Sequence, residues 1–137
     1  MPWLYAAGDV ACTLDSDAGF HLRQETWRNA ENQARAVAEI IMGCTQPYRE
    51  TPWMWTDQLG HAIQVTGLPE ATDATVVRGD LNAANATVIS LRDGCVSAGV
   101  TINQSRDRRY LEALVKSRKR IDPQQLGNTL VSLKELV

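Results

Sequence analysis

Thr87-Val88-Ile89-Ser90-Leu91-Arg92-Asp93-Gly94-Cys95-Val96-Ser97-Ala98-Gly99-Val100-Thr101-Ile102 is the stretch that decides the fold of this chain. Two runs rich in β-branched residues flank Asp93-Gly94, a dipeptide suited to the positive φ angles of a two-residue hairpin turn. A hairpin of residues 87–92 and 96–102 is therefore expected as part of an antiparallel sheet. A period of two divides Val88, Leu91, Val96, Ala98 and Val100 between a core face and an outer face. Residues 62–66 and 75–78 are two more short β-branched runs, and Pro52-Trp53-Met54-Trp55-Thr56-Asp57 is ill suited to a helix. After the hairpin, a helix opening at or near Ser105 carries Tyr110, Leu111, Leu114 and Val115. Leu111, Leu114 and Val115 are expected to cover the sheet. Asp122-Pro123-Gln124-Gln125 reads as a second helix start, with a cap residue, proline at the first helical position and glutamine three residues after the cap.

The first third reads differently. Trp3-Leu4-Tyr5-Ala6-Ala7 is a short apolar run stopped by Gly8-Asp9, the pattern of a buried strand ending in a turn. Residues 15–19 read as a loop. Thr26 then caps a helix whose apolar set is Trp27, Ala30, Ala34, Val37, Ala38 and Ile41. Glu31 with Arg35, and Arg35 with Glu39, lie four apart on another face, and Gly43 is placed to end the helix. The order of strand, helix, antiparallel meander and closing helices gives an α+β class. Two domains are expected, residues 1–47 and 48–137, with the boundary between Pro47 and Pro52.

Composition excludes several functions. The chain has 137 residues, enough for one ordinary domain, with 44% hydrophobic and 22% charged residues. The net charge of −2 does not suit a chain built to bind polyanions. No apolar run reaches the roughly 20 residues of a membrane helix, and no secretory signal is visible, so a cytoplasmic location is expected. Cys12, Cys44 and Cys95 are widely spaced and form neither a zinc clip nor a redox dithiol. His21 and His61 lack partners at ligand spacing. Gly94 and Gly99 have phosphate-loop spacing, but Val100 stands where that loop needs lysine. Spacing alone gives no catalytic residue and no metal site.

Five segments together resemble one family. Tyr5-Ala6-Ala7-Gly8-Asp9-Val10-Ala11 is similar to the last flavin-binding signature of FAD-dependent pyridine nucleotide reductases. Glu25-Thr26-Trp27-Arg28-Asn29-Ala30 with Asn32-Gln33-Ala34 is similar to the helix that follows it. Pro52-Trp53-Met54-Trp55-Thr56-Asp57-Gln58 resembles the tryptophan segment of reductases that feed ferredoxins in aromatic-ring dioxygenase and cytochrome P450 systems. Val77-Arg78-Gly79-Asp80 and Asn103-Gln104-Ser105-Arg106-Asp107 follow in order. Such reductases are about three times longer, so the resemblance implies the last strand and helix of an FAD domain followed by the reductase C-terminal domain. The remaining FAD and NAD(P) domains are missing, as are both glycine-rich dinucleotide fingerprints. The rival reading is a free-standing interaction or dimerisation module with the same fold.

The resemblance also implies roles. Asp9, after Gly8, would hold a ribityl hydroxyl of FAD; the alternative is an aspartate in a simple turn. Trp27 would present its backbone and the positive end of its helix to the flavin edge where reduced flavin gathers negative charge. Its side chain is expected to pack in the core. Glu25 would touch the same edge or order the turn. Trp55 would lie against the isoalloxazine on the route to the ferredoxin, with Trp53 as a structural anchor. Charge adds a separate point. Residues 106–120 hold seven basic and two acidic residues, a local +5 that leaves −7 for the rest of the chain. Arg106, Arg109 and Arg118 are candidates for docking an acidic iron–sulfur protein such as a ferredoxin, the bland alternative being a solvated helix face. No nucleic-acid or membrane partner is expected. FAD belongs to the complete enzyme, and this chain alone is expected to bind none. Self-association is expected through the exposed strand or through Trp27, Ala34 and Ile41.

Overall fold

The computed structural model describes residues 4–15 and 19–137. The chain forms two compact units, Met1–Pro52 and Trp53–Val137.

In the first unit, residues 4–7 form no strand. The strand expected over residues 3–7 is therefore absent where it is described, and Trp3 lies outside the described residues. Ala7 is extended (φ −145°, ψ 157°), but an extended segment becomes a strand only beside a partner edge. A 3-10 turn, Gly8–Val10, follows. Where a loop was expected over residues 15–19, Asp15 ends β1 (Thr13–Asp15), which pairs antiparallel with β2 (Phe20–Leu22). Residues 16–18 of that loop lie outside the described residues.

Helix α1 is Trp27–Ile41, and the Thr26 hydroxyl accepts from the Asn29 amide at 3.2 Å. Its end is a Schellman motif. Gly43 (φ +100°) donates to Ile40 O and Cys44 to Glu39 O, both at 2.9 Å. Glu31 and Arg35 pair at 3.8 Å. The buried face is not the expected one. Asn29 and Gln33 are buried, whereas Trp27 is 70% and Ile41 62% exposed, and Ala34 and Ala38 are exposed as well. Hydrogen bonding explains the reversal: the inward side chains are those that satisfy backbone groups of the neighbouring turn and loop.

The second unit is a five-stranded antiparallel sheet in the order β3-β4-β7-β6-β5 with helices against it. The strands are β3 (Trp53–Gln58), β4 (His61–Gly67), β5 (Ala74–Asp80), β6 (Asn85–Arg92) and β7 (Cys95–Ile102). Asp93 (φ 53°) and Gly94 (φ 79°) make the turn between β6 and β7. Ser90 faces Ala98 but Leu91 faces Val96, so Ser97 is an extra residue in β7. This bulge keeps Val96 on the core side with Leu91, while Val88 and Val100 pair on the other face.

Helix α2 is Arg108–Ser117, starting three residues after Ser105. Leu111 and Leu114 are fully buried against Ile89, Leu91 and Val96, with Val115 partly buried beside them. Helix α3 (Pro123–Gly127) has Asp122 as its cap, and α4 (Leu133–Leu136) opens with a Ser132/Glu135 capping box. Leu126, Leu133 and Leu136 complete the core. Arg78 reaches from β5 to the carbonyls of Leu126 (3.3 Å), Asn128, Thr129 (3.4 Å) and Val131, and so ties the last segment to the sheet edge.

Candidate functional site

The first unit holds Gly8, Asp9, Glu25 and Trp27. The Gly8 amide donates to Gln33 Oε1 at 2.8 Å. At φ +79°, with its missing Cβ only 3.5 Å from Ala30 Cβ, Gly8 lets the turn lie directly on α1. Asp9 is exposed at that turn, and its carboxylate has no hydrogen-bond donor among the described residues. An ionised carboxylate held this way is a strong acceptor for a hydroxyl. Trp27 is the first residue of α1, at the positive pole of the helix. Its side chain does not pack in the core as expected; it is 70% exposed. Glu25 pairs with Arg23 at 2.5 Å and is exposed.

A polar cluster supports the start of α1. Glu50 accepts from Arg28 Nε (3.1 Å), from Asn32 Nδ2 and from the Tyr48 hydroxyl (3.0 Å), which is also 3.0 Å from Asn29 Oδ1. Asn29 Nδ2 donates to Gln24 O at 2.9 Å. Burial, then the hydrogen bond to Glu50 and its charge, push the Tyr48 phenol well above the ordinary tyrosine range. Gln33, Asn29 and Glu50 escaped the sequence reading as site-ordering residues. The one available signal was two polar residues, four apart, among the apolar positions of the helix.

In the second unit the tryptophan segment is strand β3. Trp53 and Trp55 point to the same side of the pleat, their rings stacked with centroids 5.0 Å apart and planes 23° from parallel. Trp53 is half-buried and Trp55 is 42% exposed. Arg108, the first residue of α2, places its guanidinium carbon 4.7 Å from the Trp53 ring centroid. Asp107 precedes it and accepts from Thr87 Oγ1 at 3.0 Å.

The basic tract is not one cluster. Arg106 and Arg109 are exposed at the start of α2, and Arg109 lies over the Tyr110 ring at 4.6 Å. Arg118, exposed with φ 50°, caps the other end, about 15 Å away along a ten-residue helix. Asn103 (φ 54°) stitches the strands below: its side chain accepts from Ala62 N (2.9 Å) and donates to Ala84 O (2.8 Å). Its Nδ2 also lies 3.1 Å from His61 Nδ1, the contact that engages this histidine.

Among the described residues, no group of three or more His, Cys, Asp or Glu side chains could hold a metal ion. Nor is any helix long and apolar enough to cross a membrane. Residues 53–137 match the family model described as the reductase C-terminal domain. The chain belongs to the reductase C-terminal family. The α+β fold is the one expected from the resemblance. Two relatives of this reductase family align with nearly the whole chain. One is the ferredoxin–NAD(+) reductase component of the anthranilate 1,2-dioxygenase system of Burkholderia cepacia, 38% identical over 132 residues, or 96% of this chain and 32% of that protein. The other is the ferredoxin reductase subunit of the 5,5'-dehydrodivanillate O-demethylase of a Sphingobium species, 37% identical over 137 residues, or 99% of this chain and 33% of that protein. Among solved structures, a ferredoxin reductase from Rhodopseudomonas palustris superposes with a TM-score of 0.88 at 28% identity, covering 95% of this chain and 32% of that one. The covalent putidaredoxin reductase–putidaredoxin complex gives 0.87 at 31% identity, with 95% and 31% covered. The chain thus spans about a third of the length of the relatives it matches. They are named as reductases, which leaves the free-standing interaction module without support.

Proposed function

We propose that this chain is the C-terminal part of an FAD-dependent NAD(P)H:ferredoxin oxidoreductase that supplies electrons to a dioxygenase or cytochrome P450 system. Residues 1–47 would be the last piece of its FAD domain and residues 48–137 its C-terminal domain. The observation that carries this reading is the alignment of 96–99% of the chain with ferredoxin reductase components. Two features of the fold support it: an exposed carboxylate at the turn that Gln33 holds, and an exposed indole on β3.

Flavin, when held in the longer enzyme, converts the two electrons of a hydride into single-electron deliveries. The residues of this chain bind and orient. Asp9 accepts a ribityl hydroxyl, with Gly8 and Gln33 holding its turn in place. Trp27 stands at a helix pole that favours the negative charge of reduced flavin. Glu25 orders the segment ahead of the helix. Trp55 excludes water and presents a flat, polarisable surface on the route to the iron–sulfur partner. Arg106, Arg109 and Arg118 steer an acidic ferredoxin over a long face rather than at a point.

The test joins this chain to its FAD and NAD(P) domains. Asp9→Ala should lower the FAD content of the purified enzyme. Trp55→Ala should lower ferredoxin-dependent turnover while ferricyanide reduction continues. Full FAD retention in the first variant and unchanged turnover in the second would refute the reading. The chain alone should purify colourless, since it lacks the adenine and pyrophosphate sites; stoichiometric yellow absorbance after desalting would contradict this. Exposed Trp27 and Ile41 should make it self-associate, and sedimentation of Trp27→Gln/Ile41→Gln should show less association than the unaltered chain.

A further inference from the structure

Trp55 is the exposed indole of the second unit, and a strand alone does not fix its ring. Side chains two apart on β3 share a face, and on that face the Trp53 ring stacks on the Trp55 ring and itself meets Arg108.

Arg108 is itself held from two sides. Its Nη1 donates to Glu112 Oε2 at 2.8 Å, one helical turn on, and Glu112 Oε1 takes Lys116 Nζ at 2.6 Å. The Arg108 and Glu112 side chains are only 28% and 29% exposed, so this pair is more than a solvated surface contact. Burial pushes the Glu112 carboxyl up, but the hydrogen bonds and charges of Lys116 and Arg108 together outweigh it and leave it below its ordinary value. The backbone under Arg108 is anchored as well, through the Asp107–Thr87 hydrogen bond to β6. The connected order is Lys116, Glu112, Arg108, Trp53, Trp55.

We infer that Arg108 is a positioning residue for Trp55, acting through Trp53: Glu112 and Lys116 aim its guanidinium at the Trp53 ring, and this fixes the stacked pair that presents the Trp55 indole. The sequence offers Arg108 as one more charge in a basic tract, but the structure removes it from that tract and assigns it to the aromatic pair. Arginine suits the place because a planar, weakly hydrated guanidinium stacks flat on an aromatic face better than a compact, strongly hydrated ammonium does. The inference rests on the reading of Trp55 as the residue on the flavin–ferredoxin route.

The test uses the whole 137-residue chain. Two indoles stacked at this distance give an exciton couplet in circular dichroism, a signal that general loss of a surface charge does not move. Arg108→Met should lower the couplet, at most by the roughly two- to fivefold shift in the stacked-to-unstacked ratio that a cation–π contact of this kind supplies, and Arg108→Lys and Glu112→Gln should lower it less. Lys119→Met should leave it unchanged. If Arg108→Met fails to fold, Arg108→Lys and Glu112→Gln decide. An undiminished couplet in variants with native secondary structure overturns the inference. The reading beneath it fails separately, if Trp55→Ala leaves ferredoxin-dependent turnover of the longer enzyme unchanged.

Discussion

Asp73 and Thr101 are both buried polar side chains, yet they stand in opposite energetic positions. The Asp73 carboxylate is 2% exposed and accepts from Arg92 Nε (2.9 Å) and Nη2 (3.1 Å), from Ser97 Oγ (2.7 Å) and from Glu70 N (3.0 Å). The hydrogen bond from Arg92 leads the causes that lower it from 3.8 to about 2, against an opposing effect of burial. A depressed carboxyl contributes stability above its unfolded value and loses it as pH falls through its folded value. Asp73→Asn should therefore lose stability at neutral pH, by about 1–3 kcal/mol. The gap between wild type and variant should close as pH falls from about 4 to about 2 in urea titrations. A constant gap would contradict the assignment. Thr101 is 1% exposed, and its Oγ1 has no hydrogen-bond partner among the described residues. Valine has nearly the same shape without the hydroxyl, so Thr101→Val should raise stability by about 1 kcal/mol, read as a higher urea midpoint. Neither outcome is legible in the sequence. An aspartate between β-branched runs reads as a turn, and a threonine in a strand reads as a strand former. Which of them has partners depends on residues up to 24 positions away.

Helix α2 shows how one element is seated. Gly99 lies in β7 beneath it, and a Cβ there would come within 2.7–2.8 Å of the Leu111 methyl carbons. Leu111 is fully buried and has little room to move. Gly99→Val should therefore cost about 1–3 kcal/mol and loosen α2, seen as a lower melting temperature with faster amide exchange over residues 108–117. Gly99→Ser should cost less; equal stability of all three would show that α2 does not rest on this glycine. Helix α2 was legible from Leu111, Leu114 and Val115 at helical spacing, and it begins at Arg108, after a turn over residues 105–107. Helix α1 was legible as a helix and misread as to its buried side. Periodicity locates an apolar stripe, but in this unit Gln33 and Asn29 turn inward because backbone groups need them there.

At the scale of the whole chain, the two units differ in what holds them. Residues 86–103 take in nearly all of β6, the turn after it and β7, two strands that each have a hydrogen-bonded strand on both sides and share a core beneath α2. Helix α1 leaves Trp27 and Ile41 exposed. Amides of residues 86–103 should thus exchange more slowly than those of residues 27–42; the reverse order would show that stability is divided differently. The sequence by itself determined the hairpin, the α+β class, the Thr26 and Asp122 caps and the family, because each rests on local backbone preference or on a quoted motif. Only the tertiary structure decided that residues 4–7 form no strand, that α1 turns its polar face inward, that Ser97 bulges, and that Arg108 leaves the charged tract to lie on Trp53. These depend on which groups meet across long separations in sequence. Hydrogen-bond satisfaction and ring stacking are properties of such meetings, and no period or composition encodes them.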